Sequence, residues 1–187
     1  SVLDLSKILV DLSDVERDLQ TFHQDKAYDF KLESTKDEEI LLSSKEIKES
    51  IKKGSRSEIN VELTNTDRTF GTILGAEITR NNPEGLKKDT ITVKCKGSGG
   101  QSFGAFIPKG LTLRLSGDSN DYFGKGLSGG KLIINAHEDA AFDPSENVII
   151  GNVGLYGATS GKAFISGLAG ERFAVRNSGA AAVVEGV

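Results

Sequence analysis

The distribution of glycine constrains this chain more than any other feature. Of its 22 glycines only Gly54 precedes residue 60, whereas that same first third carries 24 of the 50 acidic and basic residues. Two kinds of structure therefore share one chain. Leu3, Leu5, Ile8, Leu9 and Leu12 recur at helical spacing, and over Glu39–Lys52 the side chains Ile40, Leu41, Ile47 and Ile51 share a face, with Ser43 or Ser44 placed to cap the helix. Asp25–Asp37 between them is polar and reads as a loop. Residues 1–38 are expected to form an N-terminal arm or linker, packed on something outside the chain or folded back on its own core, and residues 39–187 the domain proper.

From residue 60 the apolar period becomes two. Ile91, Val93 and Cys95 alternate with Thr90, Thr92, Lys94 and Lys96, and Leu111, Leu113 and Leu115 alternate with Thr112, Arg114 and Ser116, the signature of half-buried strands. Short apolar runs follow at Leu132–Ile134, Val148–Ile150, Ala163–Ile165, Phe173–Val175 and Ala181–Val184, and no segment between these runs has the room and pattern of a crossover helix. Ser128-Gly129-Gly130-Lys131-Leu132, Thr159-Ser160-Gly161-Lys162-Ala163 and Asn177-Ser178-Gly179-Ala180-Ala181 each place a small polar residue and glycine ahead of such a run, an internal repeat.

This pattern predicts successive coils whose short strands pair in parallel, with glycine at corners that need positive φ and close stacking. Crossover chirality favours a right-handed winding. An antiparallel barrel competes, but the two-residue turns Asn-Gly and Asp-Gly that it favours do not occur.

Composition narrows the function. A formal charge of −4, with basic pairs only at sites such as Lys52-Lys53 and Lys87-Lys88, argues against a nucleic-acid partner, which needs clustered cations to displace counterions. No run approaches the ~18 apolar residues of a membrane span and the start lacks a signal pattern, so an intracellular, cytoplasmic protein is expected, with a plastid location open for a eukaryotic source. Cys95 stands alone and cannot build a disulfide or hold an iron–sulfur cluster. The absence of Met, even at position 1, fits an excised or processed piece or a removed initiator.

Several residues invite chemistry. Gly124-Lys-Gly126-Leu-Ser-Gly129 fits a dinucleotide phosphate loop, but Lys131–Asn135 behind it is strand-like where a helix is required. Gly130-Lys131 and Gly161-Lys162 resemble the end of a P-loop without its Ser or Thr. Asp118, Asn120 and Asp121 are either oxygen ligands for a hard cation, paired carboxylates for polysaccharide cleavage, or ordinary turn formers. Asp67-Arg68 and Glu171-Arg172 near Arg176 are either ion pairs that fix coil edges or dock a neighbour domain, or solvated surface. His23 and His137 lie beside no nucleophile motif, and Cys95 falls at an inward strand position as a small core residue. No catalytic, cofactor-binding or metal-binding residue is assigned.

The strings Asn65–Leu74 (NTDRTFGTIL), Gly97–Phe106 (GSGGQSFGAF), Gly117–Gly130 (GDSNDYFGKGLSGG), Ile150-Gly-Asn, Leu155-Tyr-Gly-Ala-Thr and Ala169–Ala180 (AGERFAVRNSGA) resemble, in order, the C-terminal GXGXG-repeat domain of glutamate synthase large subunits, from about residue 40 to the end. The resemblance implies a mainly β fold, a single-stranded right-handed parallel β-helix with an N-terminal helical arm. It implies a non-catalytic packing domain of an enzyme that makes two glutamates from glutamine and 2-oxoglutarate. FMN and an iron–sulfur cluster are then expected in the parent enzyme, none in this chain, and its partners are the glutaminase and FMN-barrel domains of the same large subunit. Family members continue past the position of Val187, so the open coil end is expected to be covered by the remainder or by another copy of the chain. The competing expectations are a free-standing β-helix subunit, like archaeal stand-alone domains or a formylmethanofuran dehydrogenase subunit, and a carbohydrate-active β-helix enzyme resting on Asp118 and Asp121.

Overall fold

A computed structural model describes residues 28–187. The chain divides into two compact units, Ser1–Phe30 and Lys31–Val187. Within the first, the rings of Tyr28 and Phe30 meet edge to face at 4.8 Å. The expected helical arm lies, up to residue 27, outside the described residues.

The second unit opens with helix and continues with strand, as the change of period predicts. Asp37–Leu42 forms a π-helical turn and Lys45–Lys53 the helix α1. The expected helix over Glu39–Lys52 is thus broken at Ser43 and Ser44. Ser44 is extended, and its hydroxyl accepts the Ile47 N–H at 3.4 Å, the capping geometry that starts a new helix. α1 ends at Gly54, whose φ of 70° lets its N–H return to the Ser50 carbonyl. Leu41, Ile47 and Ile51 are buried in the core.

Six strands follow: β1 (Ser57–Leu63), β2 (Ile91–Ser98), β3 (Leu111–Asp118), β4 (Ser128–Asn135), β5 (Ser160–Leu168) and β6 (Ala181–Gly186). All pairs are parallel and the order in space is the order in sequence, giving an open sheet edged by β1 and β6. Ser57 pairs with Ile91, Ile91 with Leu111, Thr112 with Lys131, Lys131 with Lys162 and Lys162 with Ala181, so neighbouring strands are offset by 34, 20, 19, 31 and 19 residues. An offset of 19 or 20 leaves about a dozen residues to return the chain to its starting edge, barely the minimum for a parallel crossover. Those returns contain no α-helix among the described residues. The first long offset accommodates helix α2 (Thr72–Asn81), and the second the loop through His137 and the short 3-10 turn Pro144–Glu146.

α2 is a helix that the sequence pattern does not announce. Only Leu74 and Ile78 form a buried stripe, and Gly75, whose added Cβ would lie 3.0 Å from Pro108, interrupts its middle. The apolar runs Val148–Ile150 and Phe173–Val175, expected as strands, form no strand: the first holds an isolated bridge and a bend, and the second is a turn. Val148 makes a single bridge to Leu168, and Ala174 donates its N–H to the Gly154 carbonyl at 2.8 Å. Their apolar character serves the packing of the return segments, with Ile149 and Ile150 buried. The third glycine repeat is displaced by one residue: Lys162 pairs with Ala181 rather than with Ala180, so Gly179 does not stand opposite Gly161.

Inward residues build the core in layers. The register sets Val93 beside Leu113 and Leu132, and Cys95 beside Leu115 and Ile134, all buried. Phe70, Phe103 and Phe123, from three successive returns, stack with centroids 6.0 Å apart and planes 12° from parallel. No buried side-chain nitrogen or oxygen among the described residues lacks a hydrogen-bond partner.

Stacked corners and candidate functional site

The sheet ladder has a counterpart on the far side of each return. The N–H groups of Gly104, Gly124 and Leu155 donate to the carbonyls of Phe70, Phe103 and Phe123 at 2.9, 2.9 and 2.7 Å. Two residues further on, Phe106 donates to Lys125, Gly126 to Tyr156 and Gly157 to Val175, at 2.8, 2.8 and 2.9 Å. Satisfying these groups requires a tight corner in which two residues separated by one both take left-handed angles. The pairs are Gly104 and Phe106 (φ 67° and 59°), Gly124 and Gly126 (62° and 61°), Leu155 and Gly157 (53° and 63°), and Ala174 and Arg176 (57° and 57°). Glycine occupies half of these eight positions. The others carry the strain of a side chain at positive φ, held there by the ladder.

The residues with chemical potential divide by what the fold does with them. Gly124–Gly129 runs into β4 and not into a helix N-terminus, so its glycines serve the corner and the strand entry. Asp118, Asn120 and Asp121 do come together, lining an open depression of about 330 Å³ with Gln101 and Gly151. One carboxylate oxygen of each aspartate and the Asn120 backbone are engaged in stacking. Asp118 accepts from the Ser98 hydroxyl at 3.1 Å, Asp121 Oδ1 accepts the Val153 N–H at 3.2 Å, and the Asn120 carbonyl accepts the Gly151 N–H at 3.3 Å. Asp67 caps its own turn, accepting the Thr64 N–H at 2.8 Å, and makes no ion pair with Arg68. Among the described residues Glu171, Arg172 and Arg176 form no ion pair either.

His23 lies outside the described residues. His137, Glu138 and Asp139 bring one ligand atom each within 4.8 Å of one another on an exposed loop. That arrangement is occupied by protein contacts. Glu138 holds Lys96 at 2.8 Å, which keeps its carboxyl below the usual carboxylate range, and His137 Nδ1 accepts the Asp139 N–H at 3.2 Å. Cys95 is buried at 4% exposure in β2, and burial, with a smaller contribution from Asp37, pushes its thiol far above the ordinary range. Such a thiol is inert.

Two polar centres escaped the sequence. Asp37, buried, sends its carboxylate to the first turn of α2, where no side chain of that helix caps it. Desolvation raises its pKa, and hydrogen bonds from Gly71, Leu74 and Ile73 oppose the rise. Asp89, itself at positive φ, accepts from Lys131 and from the Thr112 hydroxyl at 2.7 Å, contacts that hold its carboxyl below the usual range. Lys131 and Asp89 sit in a groove of about 520 Å³, which Lys88, Lys109, Lys162 and Gly129 also line. No helix of the described residues is long and apolar enough to cross a membrane.

Comparison with known proteins agrees with this architecture. The family described as the GXGXG motif matches residues 37–187. The chain is 50% identical, over its whole length, to 12% of the glutamate synthase [NADPH] large chain of Bacillus subtilis. It is 60% identical over 74% of its length to 7% of the glutamate synthase [NADH] of Schizosaccharomyces pombe, and 47% identical over 78% to 9% of the ferredoxin-dependent glutamate synthase 2 of Synechocystis. The chain thus spans about a tenth of the length of the curated relatives it matches. With its left-handed corners repeated from Gly104 to Arg176 and this match over most of its length, the chain belongs to the GXGXG motif family, in the form shared by glutamate synthases.

Proposed function

We propose that the chain is the non-catalytic packing domain of a glutamate synthase, a right-handed parallel β-helix that holds the catalytic domains of the same polypeptide in register. The observation that carries this reading is the double ladder: strands pair on one side and left-handed corners pair on the other, with the Phe70–Phe103–Phe123 stack between. Satisfied on both sides, such a rod is stiff along its stacking direction, as a spacer must be. The parent enzyme converts glutamine and 2-oxoglutarate into two glutamates, with FMN and an iron–sulfur cluster housed elsewhere. The reading is supported by the chain's single thiol, the buried Cys95, where a cluster needs several thiolates, and by Gly124–Gly129, which runs into a strand where a dinucleotide loop would open a helix.

The purified chain is expected to be colourless, without flavin absorbance and without glutaminase or sugar-polymer-cleaving activity. In the whole glutamate synthase, Phe103→Ala is expected to loosen the stack and lower glutamate formed per glutamine hydrolysed, with flavin content retained. Unchanged coupling in a protein whose stack is demonstrably weakened would overturn the reading.

A further inference from the structure

The outer face of the sheet changes character across its width. One row, fixed by the register, reads Asn60, Lys94, Arg114, Ile133, Phe164, Val183 from β1 to β6, polar and charged on one half and apolar on the other. Phe164 is 40% exposed and Val183 62%, with Ile133 half-buried beside them. The adjacent row carries Lys131 and Lys162, facing the lysine-lined groove, and Arg114 borders the stripe within its own row. Lys94 is neutralised by Glu58 and Lys131 by Asp89. Arg114, Lys109 and Lys162 have no carboxylate within ion-pair distance among the described residues. The only acid on the outward positions of β4–β6 is Glu185, at the far end beside Ser166. An apolar stripe bordered by cations without partners, in a chain of net charge −4, is an asymmetry that solvation alone does not call for.

We propose that the outer face of β4–β6, with Ile133, Phe164 and Val183 at its centre and Arg114, Lys162 and Lys109 at its border, is the surface by which the chain docks on another domain of its own polypeptide, one presenting an apolar ridge flanked by carboxylates. Burial of the stripe supplies the attraction, and the cations select a partner of opposite charge and fix its register. The inference rests on the packing-domain reading and specifies which face does the packing.

Hydroxyl-radical footprinting of the whole glutamate synthase tests it with an internal reference, because Phe142, on the His137 loop, is exposed to a similar degree at 47%. Phe164 is expected to be oxidised about tenfold more slowly than Phe142, as at the dry centre of an interface. Lys162→Glu is expected to return Phe164 to the Phe142 rate, and Lys162→Arg to leave it protected. Phe164 reacting like Phe142 while Phe106 or Val175 is protected would overturn this face and leave the packing domain standing. All of them reacting freely would overturn both. Protection of Phe164 that Lys162→Glu does not disturb would sink the acidic partner.

Discussion

Asp37 Oδ1 accepts the backbone N–H of Gly71 at 2.8 Å, and its Oδ2 accepts that of Leu74 at 2.9 Å, so the carboxylate of the opening π-helical turn caps a helix that begins 35 residues later. The contact closes the first long excursion of the chain onto the segment before β1. Asp37→Asn keeps the shape but turns a donor toward one of the two N–H groups, and the loss is expected to be about 1–3 kcal/mol by chemical denaturation. Because burial raises the carboxyl, the favourable contribution of its protonated form is complete below the unfolded pKa of 3.8 and fades as pH rises through the folded value. The stability advantage of the wild type over Asp37→Asn should therefore shrink with rising pH across the carboxylate range; an advantage that grows instead would show that the N–H groups outweigh desolvation.

Phe103 is wholly buried between Phe70 and Phe123. Its replacement by Ala is expected to cost about 3–5 kcal/mol, and by Leu distinctly less, in thermal or urea unfolding. Equal costs for the two would mean that stacking geometry, not volume, dominates the layer.

Gly117 and Gly97 stand opposite each other at the ends of β3 and β2, and a Cβ on Gly117 would come 1.7 Å from the Gly97 carbonyl oxygen. Gly117→Ala is expected to destabilise by more than ~3 kcal/mol, since backbone must move. Gly54→Ala, where a Cβ meets nothing within 4 Å, should cost only the left-handed penalty, about 1–2 kcal/mol. Similar midpoints for the two variants would contradict the close approach of the strands.

Arg176 holds φ at 57° in the last corner and is exposed. Arg176→Gly relieves that strain and is expected to raise stability by a few tenths to ~1 kcal/mol, offset in part by the entropy that glycine brings to the unfolded chain. A clear loss would mean that the arginine side chain contributes packing beyond its corner.

Alkylation of Cys95 reports on opening. With the thiol buried and its pKa pushed up, labelling of the native chain at pH 8 should be slower than for a free thiol by orders of magnitude and should track global unfolding as denaturant rises. Rapid labelling of a folded sample would show that β2 opens locally.

The strands were legible wherever alternation was strict. Ile91, Val93, Cys95 and Leu111, Leu113, Leu115 declare their buried face by composition alone, and parallel pairing follows from the missing hairpin turns. The runs Val148–Ile150 and Phe173–Val175 misled because a return segment stacked on its neighbours is as apolar as a strand while its backbone turns. The left-handed corners were hidden for a related reason. Phe106 and Leu155 hold the same angles as the glycines that share their corners, and Ala174 and Arg176 build a corner with no glycine in it, so the repeat lies in backbone geometry and only partly in residue type. Asp37 was invisible because its capped helix is distant in sequence, and α2 itself because Gly75 and a two-residue stripe leave no marked period. The crowded groove of Lys131 and Asp89 depends on β4 lying two strands from β2, a neighbourhood no local pattern states.

The two long offsets, through α2 and through the His137 loop, leave strand spacing untouched on either side of them. Six rungs at roughly 4.8 Å therefore measure out about 24 Å whatever is hung between them. Related chains are free to lengthen or trim these excursions, and so to refit their outer contours to new neighbours, while the distance the rungs gauge stays constant.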